Sequence, residues 1–240
     1  MRVLAAWGAP SSTLVQPTTR PIAANAVCVG GLVTQAAPAG QASHATVGLP
    51  CRRRASPSAQ AFLTAGHLVS GPGAAVNVLA TGPQGSTWVR GTVREWCDPA
   101  ANPPRADYDY AVVELGPGAS MTPVRHTGPQ AAPTQPYVPM NVIVTGAQSG
   151  QKVMMVSGAL NQIGDANRQW ANCWWLAPSY ALQLGDSGSL AIGGGPGPYQ
   201  HVFGHFVGGS YWAQPPGLVH LYLQDLESCL RAGLNAHITI

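Results

Sequence analysis

Charged side chains are what this sequence has least of: they make up 9% of 240 residues, against roughly 25% in an ordinary soluble domain. The net charge is only +3. The one basic cluster, Arg52-Arg53-Arg54, has no aromatic residue interleaved with it. It reads as a solvated turn between two strands, so no nucleic-acid partner is expected. No apolar run approaches the roughly 18–20 residues needed to cross a bilayer, so no membrane partner is expected either. The five cysteines, Cys28, Cys51, Cys97, Cys173 and Cys229, contain no CxxC pair, which argues against a zinc knuckle or a thioredoxin-type site. Their odd number leaves at least one thiol without an intramolecular partner and argues against a disulfide-framed secreted protein. A clear export signal is also missing. The apolar stretch after Arg2 runs only from Val3 to Trp7, short of the roughly 7–15 residues of a signal-peptide centre. Ala24-Asn25-Ala26 has the form of a cleavage site, but Arg20 and Pro21 precede it. A cytoplasmic location is therefore expected over secretion, and a unit cut from a larger protein or assembly stays an open alternative.

What is present in quantity is glycine and proline, 29 and 22 residues. That is about one residue in five, short of the roughly 25–30% of a low-complexity chain. Between them lie short apolar, often β-branched runs, the pattern of many short strands joined by turns. Residues 1–42 carry little periodicity and read as an N-terminal arm with one strand near Val27 to Val33. Strand-like runs then recur through 43–126, among them Ala59 to Thr64, Thr87 to Val93 and Tyr110 to Leu115. A Pro-rich stretch over 127–140 reads as a linker. Runs resume over 141–240, including Asn141 to Val144, Lys152 to Val156, Ser189 to Ile192, His201 to Phe206 and Leu218 to Leu223. The only helix pattern is Leu223, Leu226, Leu230 and Leu234, spaced three and four apart. Roughly a dozen strands and a terminal helix predict an all-β chain of two antiparallel barrels with a docked helix.

Three stretches carry the chemistry. Gly185-Asp186-Ser187-Gly188 supplies a candidate nucleophile. A serine hydroxyl needs a base to take its proton and backbone N–H groups aimed at the developing oxyanion. A glycine two residues before it lets the chain bend so that the amides of 185 and 187 face one point. The structural alternative is a Gly/Ser turn with a capping Asp. Thr64-Ala65-Gly66-His67 ends an apolar strand in an imidazole that can face a groove, although a lone histidine beside a strand is more often structural. Asp107-Tyr108-Asp109-Tyr110-Ala111-Val112 places a carboxylate at the head of a buried strand, where it can accept the imidazole N–H and fix its tautomer. Asp109 is favoured and Asp107 is its rival. Positions 67, 109 and 187 run in the order His, Asp, Ser. Subtilisin-type and α/β-hydrolase triads run in other orders, and no G-x-S-x-G is present because Ser189 stands where its last glycine would be.

These motifs resemble those of the chymotrypsin-like serine proteases, bacterial members in particular. The resemblance covers about residues 43 to 235. Thr145 to Gly150 is similar to the turn that opens the family's second barrel, and His201 to Gly209 to the strand after the nucleophile. The family implies two six-stranded antiparallel β-barrels, the first carrying His67 and Asp109, the second Ser187. It implies a serine endopeptidase acting on protein or peptide substrates, with the N–H groups of Gly185 and Ser187 as oxyanion hole and no cofactor or metal. In the family the residue six before the serine lies at the base of the specificity pocket, here Ala181, which cannot select Lys or Arg. Glutamate-selective relatives carry a His where Phe206 stands. With Val207 and Gly208 on the same strand, an apolar pocket for uncharged, hydrophobic residues is expected. His205, one step early, reads as a packed structural histidine. Two departures stand out. Leu68 replaces the cysteine that often follows the His, and no basic residue directly precedes Val27-Cys28-Val29-Gly30-Gly31, the only candidate for a freshly cut end that could pair with Asp186. The alternative function is a catalytically silent protein-binding module on the same fold.

Overall fold

In the computed structural model the described residues are 26–36, 42–82, 85–101, 107–122, 138–164, 168–178, 181–194, 200–213 and 216–240. The first lobe contains β1 (Ala26–Val27), β2 (Leu32–Ala36), β3 (Ala42–Thr46), β4 (Pro50–Arg53), β5 (Ser56–Thr64), β6 (Ala75–Gly82), β7 (Gly85–Cys97), β8 (Tyr110–Leu115) and β9 (Ser120–Met121). The second contains β10 (Met140–Gly146), β11 (Gly150–Gly164), β12 (Gln169–Ala177), β13 (Leu190–Gly194), β14 (Gln200–Ala213) and β15 (Pro216–Asp225), followed by a helix, α1 (Leu226–Arg231), and β16 (Ile238–Thr239). The all-β expectation holds. The second lobe is a closed six-stranded barrel in the order β10-β11-β12-β15-β14-β13. The first is a ten-stranded sheet, larger than the six strands expected because two-residue pairings at its margins add to it.

Those pairings redraw the margins of the lobes. Among its described residues the stretch read as an arm with one strand holds β1 and β2, and β2 pairs with both β3 and β6 inside the first sheet. At the other end β16 returns to pair with β4 of the first lobe, Ile238 opposite Arg53. Most of the Pro-rich linker lies outside the described residues, and Met140 already belongs to β10.

Burial follows the alternation of a strand. In β10, Met140, Val142 and Val144 point into the second barrel while their neighbours do not. In β8 both faces are apolar because both are covered. Ala111, Val113 and Leu115 enter the core of the first lobe, and Val112 faces a second cluster built from both lobes. That shared cluster joins Leu49, Leu63 and Val112 to Leu190, Ile192, Val202 and Leu226. Each such side chain contributes about 1.5–3 kcal/mol on burial, so the lobes are bound by a common core.

The helix is shorter than the leucine spacing predicts. Leu223 belongs to β15, opposite Trp174 and Phe206, and is fully buried there. Asp225 then caps the helix, its carboxylate accepting from the N–H groups of Glu227 and Ser228 at 3.2 Å each. Leu234 falls in a separate turn beyond Gly233. The three-and-four spacing here joins a strand end that faces the core of the second barrel to a short helix and a turn that face the cluster shared by the lobes. In the arginine cluster Arg52 and Arg54 are exposed at the turn between β4 and β5, as expected, and only Arg53 is drawn in. Arg52 and Arg53 close β4, and Arg53 bonds Glu114 Oε2 at 3.0 Å. All five cysteines are free thiols.

Candidate active site

The end of β5 carries the candidate base. Thr64 closes the strand and Gly66–Leu68 form one 3-10 turn, which holds His67 at the boundary of the first lobe. The turn is fixed by Trp96, whose indole N–H donates to Gly66 O at 2.8 Å. Asp109 stands immediately before β8 and is fully buried. His67 Nδ1 donates to Asp109 Oδ2 at 2.6 Å, and the His67 backbone N–H donates to Oδ1 at 2.9 Å. Of the two rival carboxylates, Asp109 is the one that meets the imidazole. Asp107 is exposed, and its backbone carbonyl is what the fold uses.

Three residues of the second barrel also grip Asp109. The Trp170 indole N–H donates to Oδ2 at 2.8 Å. Gln224 Oε1 accepts the Asp109 backbone N–H at 2.8 Å, and its Nε2 donates to the carbonyls of Asp107 and Ala171. His205 Nε2 donates to the Asp109 carbonyl at 2.6 Å, which leaves its Nδ1 as a buried, unpartnered acceptor. Burial alone would raise the Asp109 carboxyl. The charge of His67 and the hydrogen bonds from its ring, the Trp170 indole and the His67 amide outweigh that and hold the group down at about 2. Burial pushes the His205 ring the other way, below its ordinary value, so it sits neutral. His205 is thus the packed structural histidine expected of it.

The candidate nucleophile loop lies between β12 and β13. Ser187 is 7% exposed, and its carbonyl accepts from the Thr46 N–H of β3 at 2.8 Å. Thr46 Oγ donates to Gly185 O at 3.0 Å and accepts from Ala147 N–H, so one buried threonine ties the loop to the first lobe. Gly188, at φ +93°, lies so close to that lobe that a Cβ on it would fall 2.6 Å from both Thr46 O and Thr64 Oγ1 and 3.0 Å from Ala65 N. The serine segment is therefore seated on the strand end that leads into His67. Gly185 is also left-handed, at φ +97°. Among the described residues the N–H groups of Gly185 and Ser187 make no hydrogen bond, and neither does Ser187 Oγ.

Asp186 is fully buried behind the serine. Its carboxylate accepts from the N–H groups of Gln148 and Ser149 at 2.8 and 3.1 Å, from Gln183 N–H at 2.8 Å and from the Ser149 hydroxyl. The turn between β10 and β11 thereby holds the loop. Among the described residues no ammonium or guanidinium contacts the group.

The pocket residues named from sequence divide between two clusters. Phe206 lies in the apolar core of the second barrel, and half-buried Ala181 packs on that cluster. The Phe206 carbonyl accepts from Gly188 N–H, and its N–H donates to Ser189 O. Val207 faces a neighbouring cluster with Cys173 and Tyr222. Gly208 lies against the Trp170 ring, 3.6 Å from where its Cβ would be.

No protein-family model and no curated protein sequence matches the chain. Solved structures do. Protease A of Thermobifida fusca superposes with a TM-score of 0.61 at 17% identity, over 86% of this chain and 95% of that one. The Nocardiopsis protease NAPase gives 0.59 at 18%, over 86% and 96%. The chymotrypsin of Cellulomonas bogoriensis gives 0.57 at 18%, over 90% and 98%. The fold is the chymotrypsin-like one. At these identities the likeness is one of architecture, and the chemistry must be argued from the side chains. Trp170, Gln224 and Thr46 are the site residues that sequence motifs do not reveal. Their strands carry other polar residues too, so no local signal sets them apart.

Proposed function

We propose that the chain is a serine endopeptidase. The observation that carries this reading is the pair of partly exposed His67 and buried Asp109, held at 2.6 Å beside a serine loop whose two candidate oxyanion amides are unbonded among the described residues. Asp109 keeps the proton of His67 on Nδ1, which leaves Nε2 free as a base. His67 takes the Ser187 proton as Oγ attacks the scissile carbonyl. The tetrahedral oxyanion is held by the N–H groups of Gly185 and Ser187, each worth about 3–4 kcal/mol in such sites. His67 returns the proton to the leaving amine, and an acyl-enzyme remains on Ser187. A water, deprotonated by His67, then releases the acid product. No metal or organic cofactor enters these steps. The apolar surroundings of Ala181 and Phe206 support a preference for uncharged, hydrophobic residues before the cut bond.

A second reading, a silent binding module, is favoured by one observation: Ser187 Oγ is not hydrogen-bonded to His67. Such bonds are often long without substrate and tighten when it binds. A peptide library incubated with the wild type and with Ser187→Ala separates the two readings. Cleavage after apolar residues by the wild type alone supports the enzyme. Peptide binding without cleavage supports the module, and strong cleavage after Lys, Arg or Glu contradicts the pocket.

A further inference from the structure

The carboxylate oxygen that accepts from His67 Nδ1 also accepts from an indole. Trp170 Nε1 lies 2.8 Å from Asp109 Oδ2, and His67 Nδ1 lies 2.6 Å from the same atom. The indole comes from β12 of the second barrel, whereas His67 and Asp109 come from the first lobe. Its position is fixed on three sides. The next residue, Ala171, donates its N–H to Asp107 O at 2.7 Å. The Ala171 carbonyl is held by Gln224 at 3.0 Å. The ring face carries the Arg168 guanidinium 5.9 Å from its centroid, and the ring edge packs on Gly208 of β14.

We infer that Trp170 is a positioning residue for the triad acid, its N–H sharing Asp109 Oδ2 with His67 and locking the carboxylate in the plane that His67 needs. The inference rests on the proposed peptidase reading for its catalytic meaning. A carboxylate with three donors on two oxygens has one rotamer available. With the indole N–H removed, Oδ2 keeps only the imidazole and Oδ1 only the His67 amide, so the carboxylate loses its one restraint from the second barrel. Because the ring also packs against the cluster of Val207 and Tyr222, strands β14 and β15 and the triad acid share one side chain as their common wall.

The test uses Trp170→Phe, which keeps a ring against Gly208 and removes the donor. A second variant places benzothienylalanine at 170, where sulfur replaces the N–H in an isosteric ring. The first readout needs no turnover: the titration of the Asp109 carboxyl, followed by 13C NMR of the folded protein. Losing a donor to the charged form raises that titration, by about 0.5–1 pH unit. The other charged or ionisable groups around this pair are His67, His205 on β14, Cys173 on β12, Cys229 in α1 and the Arg168 guanidinium over the indole. They are the same in all the proteins compared. The second readout is kinetic: kcat falls about three- to tenfold with KM unchanged, since positioning acts on the reacting geometry. An Asp109 titration that rises in both variants supports the role even if no protein turns over, in which case only the peptidase reading fails. An unmoved titration overturns it, as does a change confined to KM, which would make Trp170 a wall of the substrate site alone.

Discussion

The side-chain carbonyl of Gln224 accepts the backbone N–H of Asp109 at 2.8 Å, so a fully buried glutamine of the second barrel fixes the first lobe's candidate acid. The same amide donates to Asp107 O and Ala171 O. Gln224→Leu leaves the Asp109 N–H without a partner and deletes both donors. The expected cost is about 3 kcal/mol or more, a fall in melting temperature of roughly 6–12 °C for a chain of this size. A thermal melt checks it, and peptidase activity falls with it.

Asp109 contributes to the loss of stability in acid. Its carboxyl is held at about 2 in the fold against an ordinary 3.8. Between those values the unfolded chain takes up the proton first. The carboxylate therefore stabilises the fold by about 2 kcal/mol at higher pH, and this is lost as pH falls through the window from 3.8 to about 2. Urea titrations across pH 2–6 check it. Asp109→Asn removes that part of the slope.

His205 acts in a higher window. Its buried ring is pushed below the ordinary value of 6.5, so the unfolded chain binds a proton that the fold refuses. Stability contributed by the neutral ring is fully present above 6.5 and declines as pH falls below it toward the folded value. His205→Gln keeps a donor for the Asp109 carbonyl and flattens the stability curve just below pH 6.5. The same urea series reads it.

Gly188 is the position where the loop has no room. At φ +93° an alanine is strained by about 1–2 kcal/mol. Its Cβ would also meet Thr46 O and Thr64 Oγ1 at 2.6 Å. Gly188→Ala is expected to destabilise the fold by more than the strain alone and to abolish turnover by pushing Ser187 off β3. Serine to glycine at the neighbouring position 189 would not produce that shift, and denaturation curves of the two variants separate the effects.

Some of this architecture is legible in the chain because it rests on local chemistry. The alternating run Met140 to Gly146 and the doubly covered run Tyr110 to Leu115 state their own strands. The order of His67, Asp109 and Ser187 was readable because each motif is a strand end plus a tight turn. The leucine spacing predicts too long a helix because Leu223 in a strand and Leu234 in a separate turn continue the spacing of Leu226 while being buried for reasons of their own, Leu223 in a different cluster. The grip on Asp109 was not readable at all. Trp170 and Gln224 lie 61 and 115 residues from it, and nothing local marks a strand residue whose polar atom crosses between lobes.

The most direct measurement is labelling with a fluorophosphonate, followed by intact mass and peptide mapping. The account predicts one adduct per chain on Ser187, lost in Ser187→Ala and strongly slowed in His67→Ala, with both variants folded. Folded wild-type protein that takes up no label, or takes it up on another serine, contradicts it.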